Sequence, residues 1–221
     1  MTTPPAVSEV AHSLAAFSHG LQRWAIRLEH ELAAHRGVLT AVAVERIVKP
    51  AVDAMIADPT SDIAGAGFVA APGRLGNDRY FMAWWQGRPA ERVDPVANLS
   101  ESAPERYLAA DWYRDPIRTG LLTITGPYVD FLCTDEFALT YTAPVGPNRP
   151  AGPAGVVGID VTAAALERRI ARLLKAVSAD AALVNAENRT IVTSSPLVAP
   201  GDLLDGQSPS WPIGHGLSVV G

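Results

Sequence analysis

Phe137-Ala-Leu-Thr-Tyr-Thr-Ala-Pro144-Val145 and Gly155-Val-Val-Gly-Ile-Asp160-Val161 are the two runs on which the fold turns. Both are rich in β-branched and aromatic residues and bounded by Gly or Pro, so they read as a pair of strands. Pro144, Pro147, Pro150 and Pro153 recur at every third position, which suits an extended, polyproline-like excursion joining them. Upstream, Leu121–Thr125 and Tyr128–Cys133 read as another strand pair with Gly126-Pro127 as its turn. Asp111-Trp112-Tyr113-Arg114 lies just before that pair, after a brief helix expected over Glu101–Ala110. Further short strands are expected around Phe68-Val69 and over Tyr80–Trp85.

Helices flank this strand-rich region. From Val7 to His35, the residues Val10, Leu14, Phe17, Leu21, Trp24 and Leu28 alternate steps of four and three, which is a heptad seam. Such a helix is a rod of about 45 Å, longer than one small core needs. Two readings stay open: a dimerisation helix, or a helix packed along its own domain. Gly37 suits a C-cap, and a second helix runs from Thr40 to Ala57, with Pro50 expected to kink or split it. Thr162–Val177 is helical again. Leu166, Ile170, Leu173, Leu174 and Val177 share one face, and Arg168, Arg169 and Arg172 lie mostly opposite. Ala181–Val184 and Thr190–Thr193 read as a hairpin around Asn185–Arg189, and from Pro196 onward no period stands out. This order is α+β. It divides the chain into an N-terminal helical region (1–60), a strand-rich module (61–161), and a connecting helix with a small αβ module (162–221).

Composition narrows the function classes. The 221 residues are 48% hydrophobic and 19% charged, enough for a sizeable core. A net charge of −5 argues against a nucleic-acid partner. Cys133 is the only cysteine, which rules out an internal disulfide and a multi-cysteine zinc site. Met1–Val10 lacks the basic start and apolar run of a signal peptide, and no stretch reaches 18 apolar residues. The chain is therefore expected in the cytoplasm, with no membrane partner.

The chemical motifs fail on context. Gly65-Ala-Gly-Phe-Val-Ala70 matches a relaxed dinucleotide fingerprint, but no apolar strand precedes it and Pro72-Gly73 blocks a following helix. A turn leading into a strand is the better account. His12, His19 and His30 share a helix face, yet successive members stand about 10 and 16 Å apart along the axis, too far to share one ion. Cys133, in an apolar run, reads as a buried structural thiol. No nucleophile elbow, phosphate loop or His-Glu-x-x-His helix is present. No catalytic residue, metal or cofactor is expected, and the chain does not read as an enzyme.

The run from about 107 to 165 resembles the ligand-binding module of the Cache (PDC-type, PAS-like) sensor superfamily. In that family a Trp-Tyr element precedes a strand opening with Pro-Tyr-x-Asp, then a Thr-x-x-Pro-Val-like strand, then a Gly-Val-Val-Gly-x-Asp strand leading into a helix. The corresponding residues are Trp112-Tyr113, Pro127-Tyr128-Val129-Asp130, Thr140–Val145 and Gly155–Asp160. The long first helix and the hairpin at 181–193 resemble the family's stalk helix and the start of its membrane-proximal module. The resemblance implies a PAS-like antiparallel sheet after a long helix, with a helix and short hairpin as a reduced second module. It resembles a free-standing, soluble form of these sensors.

The same residues suggest a pocket on physical grounds. Tyr128 and Asp130 are two apart and project from one strand face, and Asp160 joins them if its strand is a neighbour. Carboxylates among aromatic faces suit an ammonium group, each aromatic face adding about 0.5–2 kcal/mol. The plainer alternatives are that Trp112 and Tyr113 are core residues and that Asp160 starts the next helix as a capping acid. Adjacent Trp84 and Trp85 face opposite sides of a strand, and Tyr80 shares a face with Trp84, making Tyr80 and Trp84 further candidates. The expected ligand residues are Trp112, Tyr113, Tyr128, Asp130, Asp160, Tyr80 and Trp84. In amino-acid-sensing relatives an arginine two residues before the tryptophan holds the ligand carboxylate, and here that position is Ala110. Arg106 and Arg114 are the nearby substitutes. The departure shifts the expected ligand toward amines without a carboxylate, such as polyamines, ethanolamine-like or quaternary compounds. The reading is a non-enzymatic sensor of an amine or amino-acid-like ligand, forming a homodimer through its first helix and signalling through a separate protein. The alternatives are a dimerisation or scaffold module without ligand, and an enzyme of unrecognised type.

Overall fold

The computed structural model describes residues 2–75, 81–93, 106–129, 136–146, 152–205 and 208–221. Helix α1 (Pro5–Ala34) opens with a proline, whose missing N–H costs nothing in the first turn. Its heptad seam is 0–6% exposed from Val10 to Leu28. The seam is therefore spent inside the chain's own core, which decides between the two readings of this helix: that face is not free for a second copy. Helix α2 (Ala41–Ala57) is capped by Thr40, whose hydroxyl accepts the Ala43 N–H at 3.2 Å. Val44, Val48, Val52 and Ile56 form its buried stripe. Pro50 neither splits nor ends it, because the proline sits on the exposed side, away from that stripe.

The strands and helices that follow are β1 (Gly65–Ala70), β2 (Met82–Gln86), β3 (Glu91–Val93), α3 (Arg106–Ala109), α4 (Asp111–Thr119), β4 (Thr123–Val129), β5 (Phe137–Val145), β6 (Gly155–Thr162), α5 (Ala163–Val177), β7 (Ala182–Val184), β8 (Thr190–Thr193), β9 (Ser210–Gly214) and β10 (Leu217–Val220). They build a six-stranded sheet, β3-β2-β1-β6-β5-β4, and a four-stranded sheet, β8-β7-β10-β9. With the helices this is the α+β architecture expected. The chain forms two compact units. One comprises 1–18, 124–139 and 161–221, the other 19–123 and 140–160. They interleave along the sequence, whereas the sequence reading divided it into consecutive segments.

Several local expectations change. Gly126-Pro127 is not a turn: both residues lie inside β4, one continuous strand. A side chain at Gly126 would bring its Cβ to 2.6 Å from the Ala138 carbonyl oxygen, so the glycine serves close strand approach. Pro127 lacks an N–H to donate, and β4 is an edge strand, where that is tolerated. The continuation of the expected partner strand through Asp130 to Cys133 lies outside the described residues, as do Tyr80, Glu101–Glu105, Pro147 and Pro150. Residues 111–119 are helix rather than a lead-in to a strand. The unreadable tail supplies β9 and β10, which complete the second sheet around the expected 181–193 hairpin. No helix among the described residues is long and apolar enough to cross a membrane.

Candidate functional site

The register of β2, β1 and β6 sorts one sheet face into rows. Gly65 stands opposite Gln86 on one side and Asp160 on the other, Gly67 opposite Trp84 and Gly158, and Val69 opposite Met82 and Val156. Residues directly opposite each other share a face. The first row is polar, and β5 extends it: the Thr140 hydroxyl donates to Asp160 Oδ1 at 2.5 Å. The third row is apolar.

The middle row explains the paired glycines. A Cβ on Gly67 would lie 2.2 Å from the Ala83 carbonyl oxygen and 2.6 Å from the Trp84 ring. On Gly158 it would lie 2.8 Å from the far edge of the same indole, and on Gly65 2.9 Å from the indole nitrogen. The indole therefore lies across three bare backbone positions with its N–H end toward the polar row. Asp160 Oδ2 is only 3.1 Å from the same point above Gly65. Trp84 and Asp160 thus both border the space above Gly65. The apparent dinucleotide fingerprint is this floor, a strand stripped of side chains to admit a tryptophan, and no phosphate loop.

Helix α4 covers the apolar row. Tyr113 packs with Val69 and Val156, joined by Met82, Tyr107, Leu108, Trp112 and Ile117. Tyr107 stacks on Trp112 at 6.4 Å between centroids, and both rings meet Tyr113 edge-on, at 5.8 and 6.1 Å. The helix starts at Ala110 without a side-chain cap and stops at Gly120, which takes the left-handed conformation and donates its N–H to the Pro116 carbonyl. Its outer side is charged. The Arg114 guanidinium pairs with Asp111 at 2.5 Å and Asp115 at 3.2 Å, so it does not replace the arginine that Ala110 lacks.

The Tyr113 Oη and Thr142 Oγ1 hydroxyls are buried here with no hydrogen-bond partner among the described residues. Thr142 borders the same floor, its methyl carbon 3.2 Å from where a Gly158 side chain would start. Burial pushes the Tyr113 phenol up to about 12. The Asp160 carboxylate is only 7% exposed. It lies within β6 and is not the cap of α5, because Thr162 caps that helix by accepting the Ala165 N–H at 3.2 Å.

Trp84, Trp112, Tyr113 and Asp160 thus belong to one unit, around one sheet face. Trp85 faces the other side, with the Arg92 guanidinium 5.4 Å and the Lys49 ammonium 5.9 Å from its ring. Tyr128 is half-buried on β4 in the other unit, and in the sheet order β5 stands between its strand and that of Asp160. Asp130 and Tyr80 lie outside the described residues. Sequence reasoning missed Gln86, Thr140, Thr142, Tyr107 and the three glycines. Among the described residues no group of His, Cys, Asp and Glu side chains is placed to hold a metal.

Similarity to known proteins was found in shape rather than in sequence. No family model and no curated protein sequence matches the chain. Among solved structures, a methyl-accepting chemotaxis protein X matches with a TM-score of 0.62 at 19% identity, over 91% of this chain and 74% of that one. The sensory domain of the Campylobacter jejuni chemoreceptor Tlp3 with isoleucine bound matches at 0.61 and 14%, over 97% and 88%. The ligand-binding domain of the Pseudomonas aeruginosa amino-acid chemoreceptor PctC in complex with GABA matches at 0.56 and 18%, over 97% and 92%. The fold is that of these chemoreceptor sensory domains, which fits the fold that the sequence resemblance to the Cache superfamily implied. The long α1 and the antiparallel sheet are as the sequence resemblance implied, whereas the second sheet has four strands where only a short hairpin was implied.

Proposed function

We propose that the unit formed by 19–123 and 140–160 binds a small organic ammonium compound, and that the chain is a non-enzymatic sensor passing its ligand state to a separate signalling protein. The observation that carries this reading is Asp160: a buried carboxylate, fixed by Thr140, on a sheet face beside the Trp84 indole. A carboxylate in a low-dielectric place attracts an ammonium far more strongly than one in water, and an aromatic face adds to that attraction. Trp112 and Tyr113 supply aromatic surface from α4, and the buried Tyr113 and Thr142 hydroxyls offer hydrogen bonds to a neutral polar group. The isoleucine and GABA named with the chemoreceptor structures above both carry an ammonium group. They also carry a carboxylate, and here the position of its arginine is Ala110 while Arg114 is engaged with Asp111 and Asp115. This favours amines over amino acids.

Calorimetric titration with a panel of primary amines, amino acids and simple carboxylates tests the reading. Saturable binding of amines, reduced at least a hundredfold in Asp160→Asn, is the expected result. Carboxylates binding as well as amines, or full affinity in Asp160→Asn, would overturn it.

A further inference from the structure

Thr140 and Thr142 stand two apart on β5, so their side chains share one face of that strand. The Thr140 hydroxyl is engaged with Asp160. Thr142 is fully buried, with its methyl carbon 3.2 Å from where a Gly158 side chain would start. Its hydroxyl has no hydrogen-bond partner among the described residues. Gly158 and Asp160 are likewise two apart, on the neighbouring strand β6. The two threonines therefore flank the same sheet face, one hydroxyl engaged and the next one idle.

An idle hydroxyl is out of place in a core. Left unpaired it destabilises the fold, and valine would fill the same space without that loss. Its position along the face suggests what it is for. Successive residues on one face of a strand are about 7 Å apart, so Thr142 stands about that far along the sheet from the Asp160 carboxylate. The Trp84 indole bridges the interval. Its nitrogen lies 2.9 Å from the point above Gly65 that Asp160 borders, and its far edge 2.8 Å from the point above Gly158 that Thr142 borders. Tyr113 also carries an unpaired hydroxyl, but it packs at the next row, with Val69 and Val156. Of the two, Thr142 is the one whose place relative to Asp160 the sheet itself fixes.

We propose that the ligand is an amino alcohol, with its ammonium on Asp160, a chain of about four carbons along the Trp84 indole, and its hydroxyl on Thr142. This inference rests on the Asp160 reading and names the substrate class of that site. A ligand hydroxyl can donate to the Thr142 oxygen or accept from it, whereas a plain alkylammonium leaves Thr142 unpaired.

Calorimetric titration of the full chain compares 4-amino-1-butanol with butylamine, which lacks only the hydroxyl. The amino alcohol should bind the wild type about fivefold or more tightly, the worth of one neutral hydrogen bond. Thr142→Val should abolish that preference by weakening the amino alcohol while leaving butylamine unchanged, and Thr142→Ser, which keeps a hydroxyl, should retain it. Because Thr142→Val takes an unpaired hydroxyl out of the core, it should melt no lower than the wild type. Equal wild-type affinity for the two compounds, or a preference that survives Thr142→Val, overturns the proposal, and the wild-type comparison decides it without any variant. Butylamine binding that is lost in Asp160→Asn, with no gain from the hydroxyl, sinks this inference and spares the Asp160 reading. No binding of either compound, or binding that Asp160→Asn leaves intact, sinks both.

Discussion

Gly67 sets how near Trp84 can come to the sheet, and so whether the candidate site has a floor. Alanine there would put a methyl 2.2 Å from a backbone oxygen and 2.6 Å from the indole, and backbone cannot step aside as a flexible side chain can. Overpacking of this kind costs about 1–3 kcal/mol. Gly67→Ala is expected to lose at least that much stability in urea unfolding and to alter the near-ultraviolet tryptophan signal; a silent substitution would mean the indole does not lie where we place it. The residue scale is also where sequence reading was most uneven. Asp160 and the aromatics stand out because a carboxylate in an apolar strand and a Trp-Tyr pair are uncommon. Thr140 and Thr142 do not, since threonine is an ordinary strand residue and only the folded structure puts them beside Asp160 and the floor under the indole. The Gly-x-Gly in β1 did carry a signal: glycine inside a strand marks a close approach. The sequence alone presents it as a failed nucleotide motif and a turn leading into a strand, because the group that approaches, Trp84, sits on a different strand.

At the scale of elements, α4 was illegible for a definite reason. Asp-Trp-Tyr-Arg-Asp-Pro-Ile-Arg-Thr has a proline in its interior and four charges in nine residues, so propensity hides the helix, although Trp112, Tyr113, Pro116 and Ile117 recur at helical spacing. What forms it is tertiary: Tyr113 and Pro116 bury against the rest of their unit while the charges stay outside. Helix α1 was the reverse case, its seam legible in sequence and its partner not, because a heptad looks alike whether it meets its own chain or another. The burial of Tyr113 has a titration consequence. Below pH 10 its phenol is neutral in both folded and unfolded chains. Above pH 10 the unfolded phenol ionises, while the folded one keeps its proton to about 12, so stability is lost as pH rises through that window. By pH 11 this costs about 1 kcal/mol. The stability advantage of Tyr113→Phe over the wild type, measured in urea, should therefore grow by about that amount between pH 9 and 11. A constant difference would show the phenol to be solvated and α4 to be lifted from the sheet.

For the whole molecule, ligand binding and folding are one equilibrium. A ligand that binds only the folded chain, present at a hundred times its dissociation constant, adds about 2.7 kcal/mol to stability. In a chain of 221 residues that corresponds to a melting-temperature rise of about 5–10 °C, provided unfolding is a single transition. The proposed Asp160 site makes the size of this rise depend on a charge rather than on apolar contact. A primary amine should produce it, the alcohol of the same skeleton should give less than about 2 °C at equal concentration, and Asp160→Asn should remove it. The contrast matters because an apolar compound binding nonspecifically to exposed residues such as Leu197 would raise or lower the melting temperature of both chains alike. An equal rise with amine and alcohol, or a rise that survives Asp160→Asn, would place the stabilising contact away from the sheet face and take the ammonium reading with it.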